Sequence, residues 1–202
     1  MISGLVSEKK QKKKNLLLAA ALELFLSKGS DSTSIDDIVR KAGVAKGTFY
    51  LYFHDRGEIL KAIMAERSDY LLRMASEKAE LQNPSSATER LLFIVEALVD
   101  EFARHPVLLG LMYRNLTWGI LLSSETVKDV GILGERGQDA LCPSADFDKM
   151  AFVIMELVTS VCYSSIILGE PAGIEVMKPF LLSSIRRLLV DEDKIRSMGQ
   201  NR

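Results

Sequence analysis

Histidine and cysteine are nearly absent, with two of each in 202 residues. Cys142 and Cys162 cannot build a disulfide framework in a chain this long, so a reducing, cytoplasmic setting is expected. His54 and His105 stand far apart, with none of the paired spacings that hold zinc. Neither a metal site nor a cofactor is expected. Long apolar runs are missing as well: LLLAAAL at 16–22 falls far short of the ~20 residues a membrane helix needs. The start, MISGLVSEKKQKKKN, lacks the apolar core of a signal peptide. No membrane is expected among the partners. The chain has no GxSxG, no HExxH, no phosphate loop ending in GK[ST], and no nucleophile paired with a base, so it does not read as an enzyme. Strand-like alternation between turns is also lacking, which leaves an all-α fold.

What is present is ordinary globular material, 48% apolar and 26% charged. The net charge of −1 conceals an asymmetry. Residues 1–56 hold ten Lys and Arg against six Asp and Glu; the rest holds sixteen against twenty-one. A basic amino-terminal end on an acidic protein points to a polyanion there. The cluster Lys9, Lys10, Lys12, Lys13 and Lys14 is either a solvated tail or a flexible arm that adds phosphate or minor-groove contacts.

Apolar spacing predicts a helix over 15–28, with Leu17, Ala20, Ala21, Leu24 and Phe25 on one face and Gly29 as its stop. Thr33 or Ser34 can cap a second helix that carries Ile35, Ile38, Val39 and Ala42 inward and ends at Gly43. A third is expected from about Ala45 to Tyr52, and a long fourth from about Arg56 to Leu81, capped by Asp55. The stretch QNPSSAT at 82–88 is the clearest linker signal. Further helices are expected at about 88–104, 106–122, 125–140, 146–169 and 173–190, with Pro106, Pro143 and Pro171 near the breaks. GILGERG at 131–137 reads as a kink, a close helix approach or a loop.

The stretch 33–56, TSIDDIVRKAGVAKGTFYLYFHDR, reads as helix, glycine turn, helix, an arrangement that presents its second helix to the major groove. Small residues there let the backbone approach base edges. Lys46 can donate to guanine or phosphate, and the Thr48 hydroxyl can meet either. Tyr50 and Tyr52 can donate to phosphate oxygens, fixing register without reading sequence. Val44 and Phe49 are expected to pack inward.

Phe25, Gly29, Thr33-Ser34, Ile38, Ala42-Gly43-Val44, Lys46-Gly47-Thr48, Tyr50, Tyr52-Phe53 and Glu58 together resemble the DNA-binding signature of the tetracycline-repressor (TetR) family, over about residues 13–62. The resemblance implies a three-helix head at 1–54 and an antiparallel helical ligand-binding and dimerisation body at 55–202, about nine helices in all. It implies that Thr33 and Ser34 touch phosphate, that Ala45, Lys46, Gly47 and Thr48 face the groove, that Tyr50, Tyr52 and His54 lie along the backbone, and that Arg56 pairs with phosphate. It also implies a homodimer in which the helices at 146–169 and 173–190 pair with their copies. Ala45 stands where the family often has serine, Tyr52 where histidine is frequent, and Gly57 where a charge is usual.

Aromatic and methionine side chains at helical spacing are core residues first. A cavity in the body would nonetheless draw its lining from Phe93, Phe102, Met112, Tyr113, Trp118, Phe152, Met155 and Tyr163, with the tyrosines and Trp118 offering polar tips. Such a lining suits a small, mostly hydrophobic effector that releases a repressor from a double-stranded DNA operator. The alternative is a helical interaction module without ligand response.

Overall fold

Two glycines in the left-handed region punctuate the first third of the chain: Gly29 (φ +86°) and Gly43 (φ +66°). Glycine adopts this backbone without the strain a Cβ would bring, so helices end there. A computed structural model describes residues 2–117 and 147–199. Helix α1 spans Ile2–Lys28, α2 Ile35–Ala42, α3 Lys46–Tyr50, α4 Arg56–Glu80, α5 Ala87–Arg104 and α6 Pro106–Asn115. After residue 146 come α7, Phe147–Cys162, which widens into a π-helical segment at Tyr163–Leu168, and α8, Ile174–Gly199. No strand occurs among the described residues, so the fold is all-α.

The ends of these helices follow from their caps. Ser34, not Thr33, caps α2: its hydroxyl accepts from the Asp37 amide while the Asp37 carboxylate accepts from the Ser34 amide, a reciprocal box. Asp55 caps α4 and Ser86 caps α5, each accepting from an amide three residues on. Pro106 opens α6, where a missing N–H costs nothing. Helix α3 is shorter than the expected 45–52, because Leu51 falls outside it and the chain turns as the Phe53 amide bonds the Phe49 carbonyl at 3.0 Å. Helix α8 runs past the expected residue 190 and tolerates Pro179 inside it.

The largest departure lies at the amino terminus. The lysine cluster is neither tail nor flexible arm but part of α1, which begins far upstream of residue 15. Lysine is a good helix former, and these turns extend a helix already fixed by its buried carboxy-terminal half.

One buried cluster joins Leu17, Phe25, Ile38 and Phe49 to Ile63 and Met64, and continues through Val99 and Leu109 to Ile185. Helix α4 crosses from the head into the body, packing on α1 and then along α5. Head and body therefore share a continuous core. Trp118, the expected helix at 125–140, the GILGERG stretch at 131–137, Cys142 and Pro143 lie outside the described residues.

Residues Lys149–Leu168 are long and apolar enough to cross a membrane, with a mean hydropathy of 1.9 and only 22% of the stretch buried. Sequence runs concealed this, because Glu156, Thr159 and Ser160 interrupt them. The inner side of the stretch packs into the core through Ile154, Val158 and Cys162. Burial pushes the Cys162 thiol up to about 12, which keeps it protonated at ordinary pH. In a Cys142→Ser variant, the native protein at pH 8 should therefore leave a thiol reagent unconsumed, and the urea-unfolded chain should react at once; rapid native labelling would contradict this.

Candidate nucleic-acid interface

Phe49 is completely buried, and its ring anchors α3 by contacts with Phe53 (5.7 Å between centroids) and the edge of Tyr50 (5.5 Å). With that anchor inward, the opposite side of this short helix faces solvent. Ala45, Lys46, Gly47 and Tyr50 are exposed and Thr48 is half-buried. A Cβ placed on Gly47 would meet nothing within 4 Å. Among the described residues, nothing demands glycine there.

The remaining expected contacts separate into outward groups and braces. Ser34 is exposed beside the start of α2, and His54 is exposed before α4, its Nδ1 sharing a hydrogen bond with Glu58 Oε2 at 2.7 Å. The His54 amide and ring together hold the Glu58 carboxyl below its ordinary range. Tyr52 is half-buried, its ring tilted against Phe53. Thr33 departs from expectation: it is buried, and its hydroxyl donates to the Gly29 carbonyl at 2.8 Å. That side chain fastens the loop before α2 and cannot reach phosphate. Arg56 is half-buried and donates to the carbonyls of Asp31 (2.8 Å) and Thr33 (3.3 Å). It ties the start of α4 to the start of α2.

Every lysine and arginine between residues 28 and 56 has a carboxylate partner in the head. Lys28 and Arg40 share Asp37, Lys41 meets Glu23 at 2.5 Å, Lys46 meets Asp36 at 2.8 Å, and Arg56 lies 3.7 Å from Asp31. The Lys28 bond comes first among the causes that hold Asp37 well below the carboxylate range, followed by the Ser34 hydroxyl and amide. The Asp36 hydrogen bond raises the Lys46 ammonium above its ordinary range. Exposed pairs of this kind contribute about 0–1 kcal/mol each, so a phosphate can take over a cation at little cost.

Residues 15–56 contain five Lys and Arg and five Asp and Glu, and are electrically neutral. The basic excess of this end therefore lies in the first turns of α1. Those turns do not border α3. The Arg56 bonds place the Lys28 end of α1 at the start of α4, and Gln11 to Leu26 then line one cleft of about 770 Å³ with Ala62 to Asp69 of α4. The two helices are antiparallel, so α1 runs back toward the body, where it meets α6. At 1.5 Å per residue, Lys9–Lys14 stand roughly 20–30 Å along the helix from its Lys28 end, well beyond the screening length of about 8 Å. Replacing Lys9, Lys10, Lys12 and Lys13 by glutamine should leave duplex affinity and its salt dependence nearly unchanged. A salt slope that falls by several units, at about 0.9 for each phosphate no longer neutralised, would show that these lysines touch DNA.

In the body, the expected lining residues do not converge on one place. Phe102 and Met112 are buried in the core. Phe93 borders a groove of about 310 Å³ between α5 and α8, with Leu92, Glu96, Leu182, Ser183, Arg186 and Arg187. Met155 is half-buried and Phe152 is exposed. Tyr113 of α6 and Tyr163 do meet: their rings stack at 4.1 Å and 12°. Two residues after Tyr163 in the π-helical segment, the buried Ser165 hydroxyl has no hydrogen-bond partner among the described residues.

Sequence reasoning missed the acidic partners Asp31, Asp36 and Asp37. Of these, the Ser34–Asp37 spacing of a capping box carried a signal.

Residues 17–63 match the family model of bacterial regulatory proteins, tetR family. The uncharacterised HTH-type transcriptional regulator YvdT of Bacillus subtilis (strain 168) is 34% identical over 104 residues, which is 50% of this chain and 50% of that protein. The matched span is half or less of the length of the first curated relatives. A solved structure described as a TetR-family transcriptional regulator from Syntrophomonas wolfei superposes with a TM-score of 0.62 at 22% identity, over 89% of this chain and 96% of that one. The transcriptional regulator FadR of Bacillus subtilis, solved in complex with stearoyl-CoA, superposes with a TM-score of 0.59 at 17% identity, over 84% and 96%. At such identities the likeness establishes the fold.

Proposed function

We propose that this chain, which belongs to the tetR family through the DNA-binding domain at its residues 17–63, is a cytoplasmic, homodimeric repressor that a small hydrophobic ligand releases from a duplex operator. The observation that carries the reading is the outward side of α3: Lys46, Gly47 and Tyr50 stand exposed on a helix pinned from behind by Phe49. Lys46 and Thr48 meet base edges or phosphate, Gly47 lets the backbone come close, and Tyr50, Ser34 and His54 hold the phosphate backbone. Arg56 acts by positioning, since its guanidinium is bound to the loop before α2.

Val176 and Phe180 of α8 and Leu168 at the end of the π-helical segment are 68%, 69% and 56% exposed. A second copy covers this face, giving a two-fold dimer in which each chain offers the same patch. Two heads in such a dimer read half-sites about one helical turn apart. Residues 1–54 supply the head and 55–202 the body; the division is one of role, since the core is shared. Ligand in the body biases the spacing of the heads only by its differential affinity for the two states.

The stacked Tyr113–Tyr163 pair and the unpartnered Ser165 hydroxyl support an effector site in this part of the body. The stearoyl-CoA complex of a protein with this fold supports an apolar chain as its chemistry. The test is a gel shift with the DNA flanking the protein's own gene, run with and without long-chain acyl-CoA. A shifted band that the acyl-CoA dissolves is expected. A band that no apolar ligand relieves contradicts ligand release, and no band with any flanking DNA contradicts the repressor.

A further inference from the structure

We propose that Asp36 is a base-reading residue that, with Lys46, selects one base pair in each half-site. This rests on the reading of α3 as the groove helix. The two side chains bridge α2 and α3, with Lys46 Nζ 2.8 Å from Asp36 Oδ1 and both side chains more than half exposed. The cap of α2 does not need Asp36, whose charge in the first turn adds only a favourable interaction with the helix dipole. Ser34 and Asp37 complete the cap of α2, and Asp37, not Asp36, takes Lys28 and Arg40. Among the described residues, Lys46 is the only hydrogen-bond or ion-pair partner of Asp36.

A carboxylate turned toward DNA is repelled by phosphate, so an adjoining Lys–Asp pair is poorly suited to the backbone and well suited to bases. In the major groove, guanine presents the acceptors O6 and N7, and the cytosine paired with it presents the N4 amine. The O6 acceptor and the N4 donor lie side by side, about 2.9 Å apart, because they hydrogen-bond each other. A protein donor and acceptor held at 2.8 Å match them: Lys46 donates to guanine, and Asp36 accepts from cytosine. The lysine charge at that distance offsets the field of the phosphates on Asp36.

The pairing has a definite polarity. C·G and A·T, seen from the same side, put a donor against Lys46 and an acceptor against Asp36. T·A keeps the right order but lacks the second acceptor beside O6, so it is the tolerated substitute.

The experiment is selection from a randomised duplex pool with full-length wild type, Asp36→Ala and Asp36→Asn, followed by anisotropy titration of the enriched duplex and its single-pair variants. Wild type is expected to disfavour the reversed pair by roughly tenfold or more at one position of each half-site. Asp36→Ala should reduce that ratio to about one to three. Asp36→Asn, whose amide suits adenine, should move the preference toward A. Unchanged melting temperatures confirm that both variants are folded. If Asp36→Ala keeps the wild-type preference, including the case in which it binds every duplex more tightly by the same factor, the inference is overturned. A wild type that enriches no sequence overturns the DNA-binding reading itself, which is a different result.

Discussion

Replacing Lys46 and Tyr50 together by alanine is expected to weaken operator binding by on the order of a hundredfold or more while leaving the melting temperature within a degree or two. Both side chains are exposed, at 54% for Lys46 and 52% for Tyr50, and exposed substitutions of this kind shift stability by no more than about 0.5 kcal/mol. Their removal is felt only in the complex. A good base contact is worth about 1–3 kcal/mol, and each tenfold in Kd is about 1.4 kcal/mol. A dimer presents each residue twice, so the two effects add across both half-sites. The Lys46 contribution is counted with its bond to Asp36 in place, since the ammonium has further N–H groups to offer a base. Anisotropy titration at fixed salt measures the change. An affinity within threefold of wild type would mean that α3 is not the surface DNA meets.

The second large effect concerns assembly. Phe180→Glu is expected to convert the proposed dimer to a folded monomer at micromolar concentration, read by light scattering behind size exclusion. Phe180 is 69% exposed in the single chain, beside Val176 at 68%, so the change costs the isolated fold little. An aromatic anchor at an interface centre is commonly worth at least about 2 kcal/mol. Two-fold symmetry counts it twice, and the substituted carboxylates add their own desolvation. Duplex affinity should fall with assembly, because two tethered heads gain a factor on the order of 10²–10⁴ over one. A variant that stays dimeric places the partner elsewhere and leaves the exposed side of α7 and α8 unexplained.

How much of this the sequence disclosed depends on the kind of signal. Glycine stops and polar caps are local, so Gly29, Gly43, Asp55 and the 82–88 linker marked their helix ends correctly. The choice between Thr33 and Ser34 was not local. Both are hydroxyls at adjacent positions; what separates them is that Thr33 turns inward to the Gly29 carbonyl while Ser34 joins Asp37. The lysine run misled in one way: its composition reads as a tail although it continues a helix. The neutral head could have been counted from residues 15–56, but the pairing of each cation needs three dimensions. The body was legible only as helices. Which aromatics face a cavity and which face solvent depends on helix rotation, and periodicity alone did not place Tyr113 on Tyr163 or turn Val176 and Phe180 outward.

The central claim is that the exposed side of α3 enters the major groove twice per dimer. Hydroxyl-radical footprinting of wild type on the DNA upstream of its own gene tests it most directly. Two protected patches on each strand, with centres separated by about 10 base pairs or a multiple of that, are the predicted result. Uniform cleavage of that DNA at saturating protein, or a single patch with no partner, would contradict it.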